Sequence, residues 1–140
     1  MPDVLQQTSI SFDGATRVLT EAMAEADRLA VPACVAVADR AGHLVAFGRM
    51  DGAPLLSAQI AQDKAYTVSA FGLPTHEWWD LVREEPALLH GIVKTDRLII
   101  FGGGVPLTRG DETVGAVGVS GGSSDQDHQI AAAGAAALTT

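Results

Sequence analysis

This 140-residue chain has one cysteine, few aromatic side chains and few positive charges. Cys34 alone can form no intramolecular disulfide, and no cysteine-based zinc site is available. Nine Lys and Arg against 17 Asp and Glu leave a net charge of −8, which argues against nucleic acid and anionic membranes as partners. Long apolar runs are missing too: Gly, Asp or Lys interrupts each one, so no segment is expected to span a bilayer. The N-terminal Met1-Pro2-Asp3-Val4-Leu5-Gln6-Gln7 lacks the basic region and apolar stretch of a secretory signal, and the expected location is cytoplasmic. What remains is a largely apolar chain, 47% hydrophobic and 19% charged, which fits one folded domain over residues 1–140 with its own core. Cys34 lies in the apolar run Val31 to Ala38 and reads as a buried structural thiol.

Hydrophobic spacing predicts the elements. Ala15, Val18, Leu19, Ala22, Met23, Ala26 and Leu29 form the stripe of an amphipathic helix, capped by Ser11 or Asp13 and ended by Pro32. Ala33–Ala38 and His43–Arg49 read as a hairpin around Asp39-Arg40-Ala41-Gly42, with Gly42 free to take positive φ. Leu55–Phe71 is helical and closed by Gly72 and Pro74; Thr75 caps a short helix holding Trp78 and Trp79, and Pro86 begins another carrying His90. Arg97–Phe101 reads as a buried strand broken by Gly102-Gly103-Gly104. Gly110-Asp111 reads as a turn, Val114–Val119 as the next strand and Asp125–Leu138 as an Ala-rich final helix. The order α-β-β-α-α-β-β-α implies an α+β fold, an antiparallel sheet of two hairpins with flanking helices.

Several polar points stand out from that frame. The three consecutive glycines carry an entropic cost, so they serve either a tight turn or bulge, or backbone approach to a ligand through Gly103 and Gly104. Ser120-Gly121-Gly122 precedes a helix whose free N–H groups suit an anion, although Ser124 and Asp127 have capping-box spacing and would occupy those donors. Arg49 and Asp51 flank Met50 and form either a salt bridge or an arginine clamp for a carboxylate. Lys64 lies mid-helix, either solvated or facing the sheet as a charged group of lowered pKa. None of His43, His76, His90 and His128 forms a short two-His motif, so no preformed metal centre is signalled. His76 beside Trp78 and Trp79 combines a titratable group with apolar rings, or else marks a subunit contact.

Three segments recur together: Asp39 to Ala53, Asp63-Lys64-Ala65-Tyr66-Thr67, and Gly102-Gly103-Gly104-Val105-Pro106-Leu107 followed by Gly115 to Gly122. In this order they resemble the GlcG/HbpS family, the haem-degrading domain family that includes the C-terminal domain of PduO-type proteins. The resemblance spans about Ser9 to Leu138 and implies a profilin-like fold, a homo-oligomer and a small-molecule ligand. It places Lys64 and Thr67 in a pocket with Arg49, Asp51, Gly103, Gly104, Ser120 and Gly121. Haem or a related tetrapyrrole is the implied ligand, bound or degraded, and His76, His90 and His128 are the candidate iron ligands. The alternative is a cofactor-independent catabolic hydrolase, deaminase or isomerase acting on a small organic acid. There Arg49 would clamp the carboxylate, Lys64 or His76 would move a proton, and N–H groups near Gly103 and Gly121 would stabilise an oxyanion.

Overall fold

The structure is a computed structural model that describes residues 1–138; residues 139–140 of the expected domain lie outside the described residues. Five α-helices surround one four-stranded antiparallel sheet of order β2-β1-β4-β3. The elements are α1 (Phe12–Arg28), β1 (Cys34–Asp39), β2 (Leu44–Arg49), α2 (Leu55–Phe71), α3 (Trp78–Val82), α4 (Pro86–Ile92), β3 (Gly104–Arg109), β4 (Glu112–Ser120) and α5 (Ser124–Ala136). A 3-10 turn, Thr75–Glu77, leads into α3. The expected α+β sheet of two hairpins is present, and its centre is the pairing of β1 with β4, the first and last strands.

The two sheet faces are built differently. Val35, Val37, Val117 and Val119 pack with Val18, Ala22 and Ala26 of α1 and with Ile130 and Ala131 of α5. On the other face Cys34, Ala36, Ala38 and Ala116 meet Ala61, Ala65 and Val68 of α2. Strand alternation therefore puts branched residues on one face and small ones on the other. The small face lets the α2 backbone lie almost on the sheet: a Cβ added at Gly118 would run into the Ala61 carbonyl oxygen and stand 2.6 Å from the Ala65 nitrogen. Cys34 is fully buried, and burial pushes its thiol pKa up against the opposing effect of Arg49.

Local signals explain most ends. Ser11 caps α1 by accepting from the Gly14 N–H at 3.1 Å, Gly42 makes the hairpin turn at φ 92°, and Gly72 closes α2 in the left-handed region. The expected strand over Arg97–Phe101 is absent; the third strand runs instead through Gly104, Pro106 and Arg109. Arg97 adopts φ 65° and turns the chain, and the Ile99 N–H donates to Thr67 Oγ1 at 3.0 Å rather than to a ladder. Glycine and proline are tolerated in β3 because it is an edge strand, with β4 as its one partner. Thr75 differs as well: it caps no helix, and its hydroxyl accepts the Gly104 N–H at 2.8 Å.

Candidate functional site

Helix α2 buries Ser57, Ala61, Lys64, Ala65, Thr67 and Val68, so Lys64 falls on the stripe that faces the sheet. Its ammonium donates to the Val119 carbonyl at 2.7 Å and to Asp127 Oδ2 at 3.2 Å, and the Phe101 ring centroid lies 5.1 Å away. Asp127, on the first turn of α5, uses its other oxygen to accept the Gly122 N–H at 2.8 Å. Burial lowers the Lys64 pKa, while the Asp127 charge and hydrogen bond pull it back up. One ion pair thus joins α2, the end of β4 and the start of α5.

Close packing around that pair and beside it explains the glycines. Gly103, at φ 129°, has Lys64 Nζ and the Val119 carbonyl oxygen each 2.5 Å from where a Cβ would sit. Gly104 has the Lys64 carbonyl oxygen and the Thr75 methyl each 2.9 Å from that position, and Gly121, at φ 151°, has the Pro32 carbonyl oxygen at 2.5 Å. Each of the three packs against this chain's own atoms. The α5 cap also differs from the expected spacing. Ser123 is the N-cap and forms a capping box with Gln126, which frees Asp127 for Lys64 and Gly122.

A cleft of about 520 Å³ opens beside this knot. Ile100, Phe101 and Trp79 wall it, His76 and His128 meet in it, and Asp125 and Ser124 lie at the α5 end. The two imidazole centroids are 4.4 Å apart with ring planes at 64°. Gly102 permits that approach, since a Cβ there would stand 3.1 Å from the Ser124 carbonyl oxygen and 3.4 Å from the His76 Cβ. His128 Nδ1 is shielded from solvent and has no hydrogen-bond partner. Burial lowers the His128 pKa, His76 lowers it further, and Asp125 opposes both. Two imidazoles, apolar and aromatic walls and one carboxylate line it, and neither Lys nor Arg does.

The expected site residues are spread over several places. Lys64 and Gly103 meet at the ion pair behind the cleft, and buried Ser120 ends β4 next to Val119. Arg49 pairs across from Cys34, itself opposite Ser120, so it stands two strands from β4; it is exposed and donates to the Ala53 carbonyl at 2.9 Å. Asp51 is exposed in the turn after β2, and no Arg49–Asp51 ion pair forms among the described residues. Thr67 is buried and anchors residues 97–99, its hydroxyl lying 2.7 Å from the Asp63 carbonyl and 3.0 Å from that of Arg97. His76 lines the cleft, whereas His90 sits on α4 and does not. Of the tryptophan pair only Trp79 is exposed; Trp78 packs against Phe71. Sequence spacing does not reveal the placement of Phe101 and Asp127: Phe101 has the neighbours of a strand residue and Asp127 those of a helix cap. A separate groove between α1 and α5, lined by Thr16, Arg17, Thr20, Glu21 and alanines, holds none of the expected residues.

These features define a class: a small three-layer α+β domain with a close-packed helix on one sheet face and an aromatic cleft at the end of the last helix. The family model described as haem degrading protein HbpS-like matches residues 10–136, and the chain belongs to that family. An uncharacterised 15.0 kDa protein from the dhaT–dhaS intergenic region of Citrobacter freundii is 37% identical, covering 90% of this chain and 89% of that protein. The crystal structure of Klebsiella pneumoniae protein ORFY superposes with a TM-score of 0.92 at 31% identity, covering 99% of this chain and 96% of that one. The crystal structure of a PduOC:haem complex superposes at 0.86 with 34% identity, covering 94% and 96%. No helix among the described residues is long and apolar enough to cross a membrane.

Proposed function

We propose that this chain is a haem- or tetrapyrrole-binding domain whose ligand seats in the cleft between the start of α5 and residues 100–102. The observation that carries the reading is the pairing of His76 and His128 inside an aromatic-walled cleft, with a buried His128 nitrogen that has no partner. Two findings support it: the HbpS-like family, and the haem held by the similar PduOC domain.

The residues present fit such a group. Trp79, Phe101 and Ile100 offer apolar faces to a macrocycle, and His76 or His128 offers an imidazole to its iron. Neither Lys nor Arg lines the cleft, so a bound macrocycle would find no protein cation for its propionates there. The same lack of a cation weighs against a small organic acid as ligand here, because a carboxylate would be desolvated without a partner. The bound group supplies whatever redox or ligand-binding chemistry the domain performs; the chain supplies the imidazole, the apolar walls and partial exclusion of water.

A homo-oligomer is part of this reading. Leu81 of α3 and Val93 after α4 lie outside the cleft and are each roughly half exposed, apolar side chains suited to contact with a second copy. Light scattering on the purified protein tests that element separately.

Haemin titration of the purified protein, followed by absorbance, tests the main reading. A saturable, stoichiometric Soret band is expected, shifted in either His76→Ala or His128→Ala and unchanged in His90→Ala. Non-saturating binding, or identical spectra in all three variants, overturns it.

A further inference from the structure

We propose that the His76–His128 pair is also a binding site for a divalent first-row transition metal ion, occupied when no porphyrin fills the cleft. This rests on the same cleft as the reading above but not on its ligand.

The two rings lie close enough for one ion to bridge them once their side chains turn. Two imidazoles bound cis to one ion, through bonds of about 2.0–2.1 Å, bring their ring centroids to about 4.5–5 Å. The observed separation is 4.4 Å, with the rings tilted at 64° rather than stacked, so a small side-chain rotation admits an ion. The two histidines come from different elements, the turn Thr75–Glu77 and α5, and both elements are fixed from behind. Thr75 accepts the Gly104 N–H at 2.8 Å, and Asp127, next to His128, is held by Lys64 at 3.2 Å. The two elements that carry the imidazoles are therefore held in place, and the ion has only to turn the side chains.

The surrounding charge favours a cation. Asp125 lines the cleft, no Lys or Arg does, and the whole chain carries −8. Among the described residues no cluster of three or more ligating side chains exists, so water completes the coordination sphere. Imidazole nitrogens suit Cu, Ni and Zn, and with two such ligands the Irving–Williams order puts Cu(II) first. Ca(II) and Mg(II), which require oxygen ligands, are expected not to bind here.

Copper(II) chloride titration of the haem-free protein, read by calorimetry and by electron paramagnetic resonance, tests the proposal. One saturable site with superhyperfine coupling to two equivalent nitrogens is expected. It should be lost in His76→Ala and in His128→Ala and retained in His43→Ala and His90→Ala. His76 is exposed, so His76→Ala leaves the fold intact by circular dichroism and keeps the test valid even where His128→Ala unfolds. Stoichiometric copper binding that survives His76→Ala, or no saturable binding by the wild type, overturns the proposal. A haemin titration on the same preparation separates the two readings. Haemin binding without copper binding removes only the metal site; copper binding without haemin binding removes only the tetrapyrrole reading.

Discussion

Replacing Lys64 by methionine should unfold this protein more readily than almost any other single substitution. The side chain is fully buried, and Asp127, its partner, is nearly so. Lys64→Met keeps the length and most of the apolar stem but removes the ammonium. Asp127 then keeps only the Gly122 N–H, and the Val119 carbonyl loses its side-chain donor. Breaking a buried pair by removing one partner costs about 3–5 kcal/mol, because a charge stays buried without its counterion. Against a total stability of about 5–15 kcal/mol this is a large fraction. With a urea slope of about 2 kcal/mol per molar, the midpoint should fall by about 1.5–2.5 M. Equilibrium urea melts followed by far-ultraviolet circular dichroism make the measurement. Asp127→Asn should cost a similar amount, since its amide would set a donor against the ammonium. The double variant Lys64→Met/Asp127→Asn should be milder than the sum by at least about 1 kcal/mol, the coupling expected of residues in contact. A Lys64→Met midpoint within about 0.5 M of wild type, or strict additivity in the double variant, would refute the argument that this pair fixes α2 to α5.

Other substitutions probe separate parts of the structure. Gly118→Ala should push α2 off the sheet, because the added Cβ meets the Ala61 carbonyl oxygen and lies 2.6 Å from the Ala65 nitrogen; the expected loss is about 3 kcal/mol or more by urea melt, and an unchanged midpoint would mean the helix sits farther away. Ser123→Ala removes the hydroxyl that accepts the Gln126 N–H at 3.1 Å and should cost about 1 kcal/mol in the same assay. Glu25 supplies the pH dependence. Arg28, then Gln129 of α5, hold its pKa down to about 2, so its stabilising contribution is complete above the usual 4.5 and disappears as pH falls toward 2. Thermal midpoints of Glu25→Gln should therefore lie below wild type at neutral pH and converge with it near pH 2; a constant offset across that range would assign the loss to something other than this ionisation.

The fold was readable because its signals are local. The stripe of Ala15, Val18, Ala22 and Ala26, the Ser11 cap, the Gly42 turn and the Gly72 stop each act within a few residues, and the structure keeps every one. The third strand is not legible because its identity depends on a neighbour. Leu98 to Phe101 has strand-like composition, but Thr67, about thirty residues earlier, takes the Ile99 N–H, while Gly104 and Pro106 stay in a strand because β4 is their one partner. The site was harder to read for the same reason. Lys64, Gly103, Val119, Gly122 and Asp127 form one knot from four parts of the chain, and their spacing in sequence carries no trace of it.

The glycines show how such a knot constrains what the domain can bind. A run of three glycines offers backbone N–H groups to a ligand only if nothing in the protein claims the space. Here Gly102 gives way to His76 and the Ser124 carbonyl, Gly103 to Lys64 and Asp127, and Gly104 to Thr75 and α2. The Gly104 N–H is already bonded to Thr75, and the Gly103 carbonyl accepts the Val119 N–H at 2.8 Å. Close packing therefore leaves little room beside this segment, and the Gly104 N–H is taken by Thr75. It brings two imidazoles together at one wall and sets the Phe101 ring between the buried ammonium and solvent. On the proposed reading, ligand selection falls to the histidines and aromatic rings that line the cleft.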